Sequence, residues 1–151
     1  YLNLRIYFGG YMGTWSHEPF GNDTASDWAY EFEEQDGHVV IEQAFDEMID
    51  MATEEFIDAD IGCIAHAAAD VLAKSFGEGI EENEYYPEPV EKWLEQNKNN
   101  VNYALIPKAL TALLLLTSEN SELDELWQDS DDYDEWTKNI ETLRETLSSK
   151  I

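Results

Sequence analysis

From His38 to Thr53 the apolar residues Ile41, Ala44, Phe45, Met48, Ile49 and Ala52 recur at i, i+3, i+4, i+7, i+8 and i+11. That spacing draws one stripe along an α-helix and predicts a helix with one buried face. Glu42, Asp46, Glu47 and Asp50 fall on the opposite face. Glu42, Asp46 and Asp50 stack at i, i+4 and i+8, a like-charge ladder that weakens an isolated helix.

The same pattern recurs along the chain. Asn22 or Asp23 is a suitable N-cap for a short helix over about Thr24 to Gln35, with Ala25, Trp28, Ala29 and Phe32 inward and Asp36-Gly37 as its stop. Asp58 caps a third helix, about Ala59 to Phe76, ended by Gly77. Its small residues (Gly62, Ala65, Ala67, Ala68, Ala69) predict a central helix that its neighbours approach closely. Pro87 or Pro89 opens a helix containing Val90, Trp93 and Leu94. The next runs from about Val101 or Ile106 to Thr117; its stretch Ala109 to Leu116 is apolar nearly all round, which predicts burial. Ser121 with Asp124 or Glu125 caps a short turn carrying Leu123, Leu126 and Trp127. Asp131 or Asp132 then caps a last helix lined by Trp136, Ile140, Leu143 and Leu147.

No strand pattern follows Met12. The expected architecture is all-α, a single compact bundle of five to six helices spanning residues 12–151. Residues 1–11 differ in kind: they hold no acid, alternate apolar and other residues, and end in Gly9-Gly10. They read as an added or upstream leader before a natural start at Met12, or else as an edge strand on the domain. Trp15 and Phe20, in the loop that follows, are expected to plug into the core.

Met12-Gly13-Thr14-Trp15, then Pro19-Phe20, Asn22-Asp23 and Asp27-Trp28, resemble the opening of the DUF4259 family, M-G-x-W-G-x-x-x-F-x-N-D-x-A-x-D-W. The Ala-rich stretch Ile64 to Gly77, the run Ser121-Glu122-Leu123 to Leu126-Trp127 and the closing Trp136, Ile140, Leu143 and Leu147 extend the resemblance over residues 12–147. This sequence departs from the pattern at Ser16, where glycine is expected, and at His17-Glu18. The resemblance implies a bacterial, cytoplasmic, stand-alone domain and carries no catalytic residue with it.

Charge changes the picture most. The chain has 34 acids against 8 bases, a formal charge of -26, yet 43 % hydrophobic residues, so it has a core to fold around. Ile6 to Ala73 holds 16 acids and no Lys or Arg; Ala109 to Thr137 holds nine and none. Such a field attracts basic proteins and repels nucleic acid and anionic lipid, whose phosphates require Lys and Arg. Neither a nucleic-acid nor a membrane partner is expected. The single Cys63 excludes an intramolecular disulfide and, with no signal peptide or apolar span, points to a cytoplasmic location.

Three constellations hold residue types found in metal or catalytic sites. His17-Glu18 with Asp23 and Asp27 matches no ligand motif and reads as capping. Cys63, His66 and Asp70 share a helix face, but with no second Cys/His cluster they read as a buried thiol and a His hydrogen-bonded to Asp70. Asp129 to Glu135 is as rich in oxygen as a calcium loop but lacks its turn glycine and reads as a solvated linker. No nucleotide-binding or hydrolase motif occurs, so no cofactor, metal or enzymatic activity is assigned.

The expected function is a non-enzymatic binding protein that neutralises a basic protein, with a toxin immunity protein facing a cationic, nuclease-like toxin domain as the leading form. Three acidic faces are candidates. One is Glu42, Asp46, Glu47 and Asp50. The second is Glu78, Glu81, Glu82 and Glu84 with Tyr85 and Tyr86, and the third Asp129, Asp131, Asp132, Asp134 and Glu135. The alternatives are a housekeeping or stress domain without a tight partner and a weak divalent-metal hydrolase.

Overall fold

The computed structural model describes residues 16–54, 56–78, 86–98 and 100–151, and of Glu78 the backbone alone. Trp15 and the leader 1–11 lie outside these residues. The described chain is all-α: α1 (Asp23–Trp28), α2 (Gly37–Met51), α3 (Ala59–Ala73), α4 (Glu88–Gln96), α5 (Ile106–Leu116), α6 (Glu122–Gln128) and α7 (Tyr133–Ser148). Seven helices, one more than expected, arise because the turn after Ser121 completes a helix of its own. The one β-type pairing among the described residues is an isolated bridge between Ile57 and Ser121.

Side-chain caps set most starts. Asn22 Oδ1 accepts from the Ala25 N–H, Asp58 from Asp60 and Ser121 from Asp124. Asp36 caps α2 by accepting from His38 N–H, so Asp36-Gly37 opens α2 and does not simply close the segment before it. That segment is shorter than expected: α1 gives way to a tighter 3-10 turn over Ala29–Glu33. Helix α3 ends at Ala73, three residues short of the expected Phe76; a wider π-type segment, Lys74–Glu78, follows, and within it Gly77 has φ 92, a left-handed conformation that glycine adopts without steric cost.

Helix α3 is central. Neighbours α1, α2, α5, α6 and α7 all pack on it, and Gly62, Ala65, Ala67, Ala68 and Ala69 are buried along it. Small side chains permit that close approach. Every expected inward residue of α7 is buried: Trp136, Ile140, Leu143 and Leu147. On α2, Ile41, Ala44, Phe45 and Met48 are buried, while Ile49 and Ala52 are partly covered. An aromatic chain runs from Tyr86 through Phe20, Trp28 and Phe32 to Trp93, with successive ring centroids 5.3–6.4 Å apart.

Helix α5 departs from the expectation of full burial. Ile106, Ala109, Ala112, Leu113 and Leu116 are buried, but Leu114 is 60 % exposed. Helices α2, α3 and α7 cover three sides of α5, and Leu114 is on the side left over.

Candidate functional site

The acidic face of α2 is accessible at Glu47 and Asp50. Glu42 and Asp46, one turn apart, are half exposed and receive Lys108 of α5. Its ammonium lies 2.9 Å from Glu42 Oε2 and 2.7 Å from Asp46 Oδ1. These hydrogen bonds, to Asp46 and then Glu42, hold the Lys108 amine above its ordinary pKa. The like-charge ladder is thus partly relieved by a cation from another helix.

The α6–α7 corner carries the third face. Asp129, Asp131, Asp132, Asp134 and Glu135 are all exposed. Asp132 stands at the cap position of α7, as expected, but its side chain makes no cap bond; instead its N–H donates to Ser130 Oγ at 2.9 Å. The corner is braced from beneath. Asp124 is 6 % exposed and accepts from Gln128 Nε2 at 2.6 Å and from the Tyr133 hydroxyl at 2.8 Å. Trp127 stacks on Trp136 at 6.0 Å with 13° between the rings. Burial, and then the bond to Asp124, push the Tyr133 phenol up to about 12. Asp124 thus serves as an internal anchor, a role that its expected place in the helix cap did not reveal.

The second face is corrected at Tyr86. This residue is 4 % exposed, and its hydroxyl donates to Asp70 Oδ2 at 2.6 Å, so it belongs to the core. Glu81, Glu82, Glu84 and Tyr85, with the side chain of Glu78, lie outside the described residues.

The expected hydrogen bond between His66 and Asp70 is replaced. Asp70 takes the Tyr86 hydroxyl, while His66 Nε2 is buried without a hydrogen-bond partner. The His66 ring stands edge-on to Trp136, centroids 6.4 Å apart at 90°. Burial lowers the His66 pKa to about 4, which keeps the imidazole neutral. Burial also pushes the Cys63 thiol far up, with Asp60, Asp58 and Glu122 adding to the effect, so the sulfur remains a protonated core atom. Among the described residues no group of three or more His, Cys, Asp or Glu is arranged to hold a metal ion. No helix among them is long and apolar enough to cross a membrane.

A family model described as a domain of unknown function (DUF4259) matches residues 13–139. The chain belongs to the DUF4259 family. No curated protein and no solved structure matches it. The DUF4259 match takes in the opening loop, where this chain carries Ser16. The Ser16 N–H donates to the Gly21 carbonyl at 3.0 Å, and Gly21 returns a bond to the Glu18 carbonyl at 2.9 Å. Burial opposes ionisation of Glu18, but bonds from the Ser16 side chain and the Glu18 backbone, with His17 nearby, outweigh it and lower its pKa. Asn139 Nδ2 donates to the His17 carbonyl at 2.9 Å and ties this loop to α7. Residues 16–21 thus form a closed turn joined to the bundle.

Proposed function

We propose that this DUF4259 domain is a non-enzymatic acidic binding protein that neutralises a basic protein, in the manner of an immunity protein occupying a cationic, nuclease-like toxin domain. The observation that carries the reading is the exposed acidic α6–α7 corner. Five exposed carboxylates lie within seven residues, Asp129 to Glu135, over a bracing layer of Asp124, Tyr133, Trp127 and Trp136. A preorganised anionic surface loses little conformational entropy on binding and speeds encounter with a cation. The seating of Lys108 between Glu42 and Asp46 supports the same chemistry on α2, since an ammonium from a partner would be received in the same way.

The test is affinity capture from the native host on the immobilised domain, eluted with a salt gradient. One basic protein released at high salt, and lost when Asp129, Asp131, Asp132, Asp134 and Glu135 are replaced by Lys, is the expected result. Recovery of nothing by the folded domain would overturn the reading.

A further inference from the structure

Two side-chain nitrogens without a hydrogen-bond partner stand side by side. His38 Nε2 and Trp93 Nε1 are both buried, and no hydrogen bond joins them or reaches either one. Their rings are 4.9 Å apart between centroids and nearly perpendicular, at 83°. His38 lies in the first turn of α2 and Trp93 in α4. A Cβ on Gly37 would come within 2.5 Å of Trp93 Nε1, so the nitrogen edge of the indole abuts the backbone that opens α2. Phe32 closes another side, 5.5 Å from Trp93 between centroids. Asn97 Nδ2 donates to the Trp93 carbonyl at 2.9 Å and steadies this part of α4.

The two nitrogens differ in chemistry. An indole N–H only donates. A neutral imidazole has one N–H and one lone pair, and whatever the first nitrogen meets decides the role of the second. Asp36 Oδ2 lies 3.8 Å from His38 Nδ1 and favours the proton there. Nε2 then faces the interior as an acceptor. The contact between the rings does not satisfy both groups. An indole N–H aimed at the imidazole face would leave the lone pair, which lies in the plane of its ring, untouched. Buried polar groups are paired in nearly all folded proteins, so an adjacent orphan donor and orphan acceptor call for a third party.

We propose that His38 Nε2 and Trp93 Nε1 form a binding site for one internal water, which accepts from Trp93 and donates to His38. Only an occupant able to do both suits the pair. An anion has no proton for the Nε2 lone pair, and the carboxylate of Asp36 repels it. A metal ion has no lone pair for the indole proton. Both nitrogens are shut off from solvent, so the occupant is no larger than a solvent molecule. Internal waters take such places, bonded to buried polar groups that the protein leaves unpaired. The bridge would link the start of α2 to α4 by hydrogen bonds, where the rings alone give only an edge-to-face contact. It is independent of the acidic surface, and its failure would leave the basic partner standing.

Nuclear magnetic resonance of the intact, isotope-labelled protein tests the site, at about pH 8, where imidazole is ordinarily neutral. The expected result is a nuclear Overhauser cross-peak between the Trp93 indole proton and a long-lived water, with His38 protonated at Nδ1 and bare at Nε2. Oxygen-17 relaxation dispersion should fall by one long-lived water in Trp93→Phe, which keeps an aromatic ring and deletes the donor. A through-bond coupling between Trp93 Nε1 and His38 Nε2 would show the rings bonded directly and overturn the site. Absence of the water cross-peak, a proton on Nε2, or an unchanged water count in folded Trp93→Phe would overturn it too. If circular dichroism shows that Trp93→Phe does not fold, the wild-type cross-peak, tautomer and coupling decide alone.

Discussion

The Tyr86 hydroxyl donates to Asp70 Oδ2 at 2.6 Å, and both residues are buried, at 4 % and 7 % exposure. The bond fixes Tyr86, two residues before α4, to the last turn of α3. Tyr86→Phe keeps the ring against Phe20 and deletes only the donor. A buried carboxylate that loses a donor is left with part of its desolvation penalty unrelieved, about 1–3 kcal/mol. Urea unfolding of Tyr86→Phe should show a loss of that order with an unchanged m-value.

His66 predicts an acid dependence. Its folded pKa, about 4, lies below its ordinary value of 6.5 because burial disfavours the imidazolium. Between those pH values the unfolded chain binds a proton that the folded chain does not. The stability contributed by neutral His66 is therefore whole above pH 6.5 and is lost as pH falls towards 4. Protonation of surface carboxylates acts oppositely by relieving self-repulsion, so the comparison must be with a variant. His66→Leu should gain stability relative to wild type as pH drops from 6.5 to 4, measured as the difference in denaturant midpoints.

These two residues also mark what the sequence could and could not disclose. The buried stripes of α2 and α7 were legible because a helix prints its inward face at a fixed period. The inward residues Trp136, Ile140, Leu143 and Leu147 needed nothing beyond that period. His66 and Asp70 share a helix at i, i+4, and local spacing suggested their pairing. The donor that reached Asp70 came from Tyr86, sixteen residues away. Lys108 and Glu42 meet across a sequence separation of 66. Such contacts depend on which helices become neighbours, which no local pattern states. Leu114 failed in the opposite sense: an all-apolar run reads as buried all round, yet only tertiary packing decides which side lacks a neighbour.

Tyr133 predicts an alkaline transition. Burial and the bond to Asp124 raise its pKa from 10.0 to about 12. A raised folded pKa stabilises the protein below the unfolded value, and that contribution disappears as pH rises from 10 towards 12. Absorbance of phenolate should show a late-titrating component that shrinks by one tyrosine in Tyr133→Phe. The variant should also lose less stability than wild type over that interval.

Lys108 ties the fold to ionic strength. Lys108→Met leaves Glu42 and Asp46, i and i+4 on α2, without their shared cation. Their repulsion then acts between exposed groups, which salt screens. Thermal unfolding should place the variant below wild type at low salt and bring the two together at about 1 M salt, where the Debye length is about 3 Å. A deficit that persists unchanged at high salt would mean that the packing of the lysine stem, not its charge, is what matters.

Gly37 supplies the sharpest steric test. It is the first residue of α2, and a Cβ there would lie 2.5 Å from Nε1 and 2.7 Å from Cδ2 of the Trp93 indole. The ring is confined by Phe32 at 5.5 Å and His38 at 4.9 Å between centroids, so it has little room to retreat. At Gly62 an added Cβ would lie 3.2 Å from Leu123 Cδ2 and 3.3 Å from Leu123 Cβ, so the leucine and its root on α6 must give by only a few tenths of an ångström. Gly37→Ala should therefore cost about 1–3 kcal/mol through overpacking and change the Trp fluorescence. At Gly62, alanine also gains the helix preference of roughly 1 kcal/mol over glycine, so Gly62→Ala should be nearly neutral. Chemical denaturation of both variants decides the matter. Equal losses would show that Trp93 yields as easily as Leu123, and that the indole does not set the position of α4 against α2.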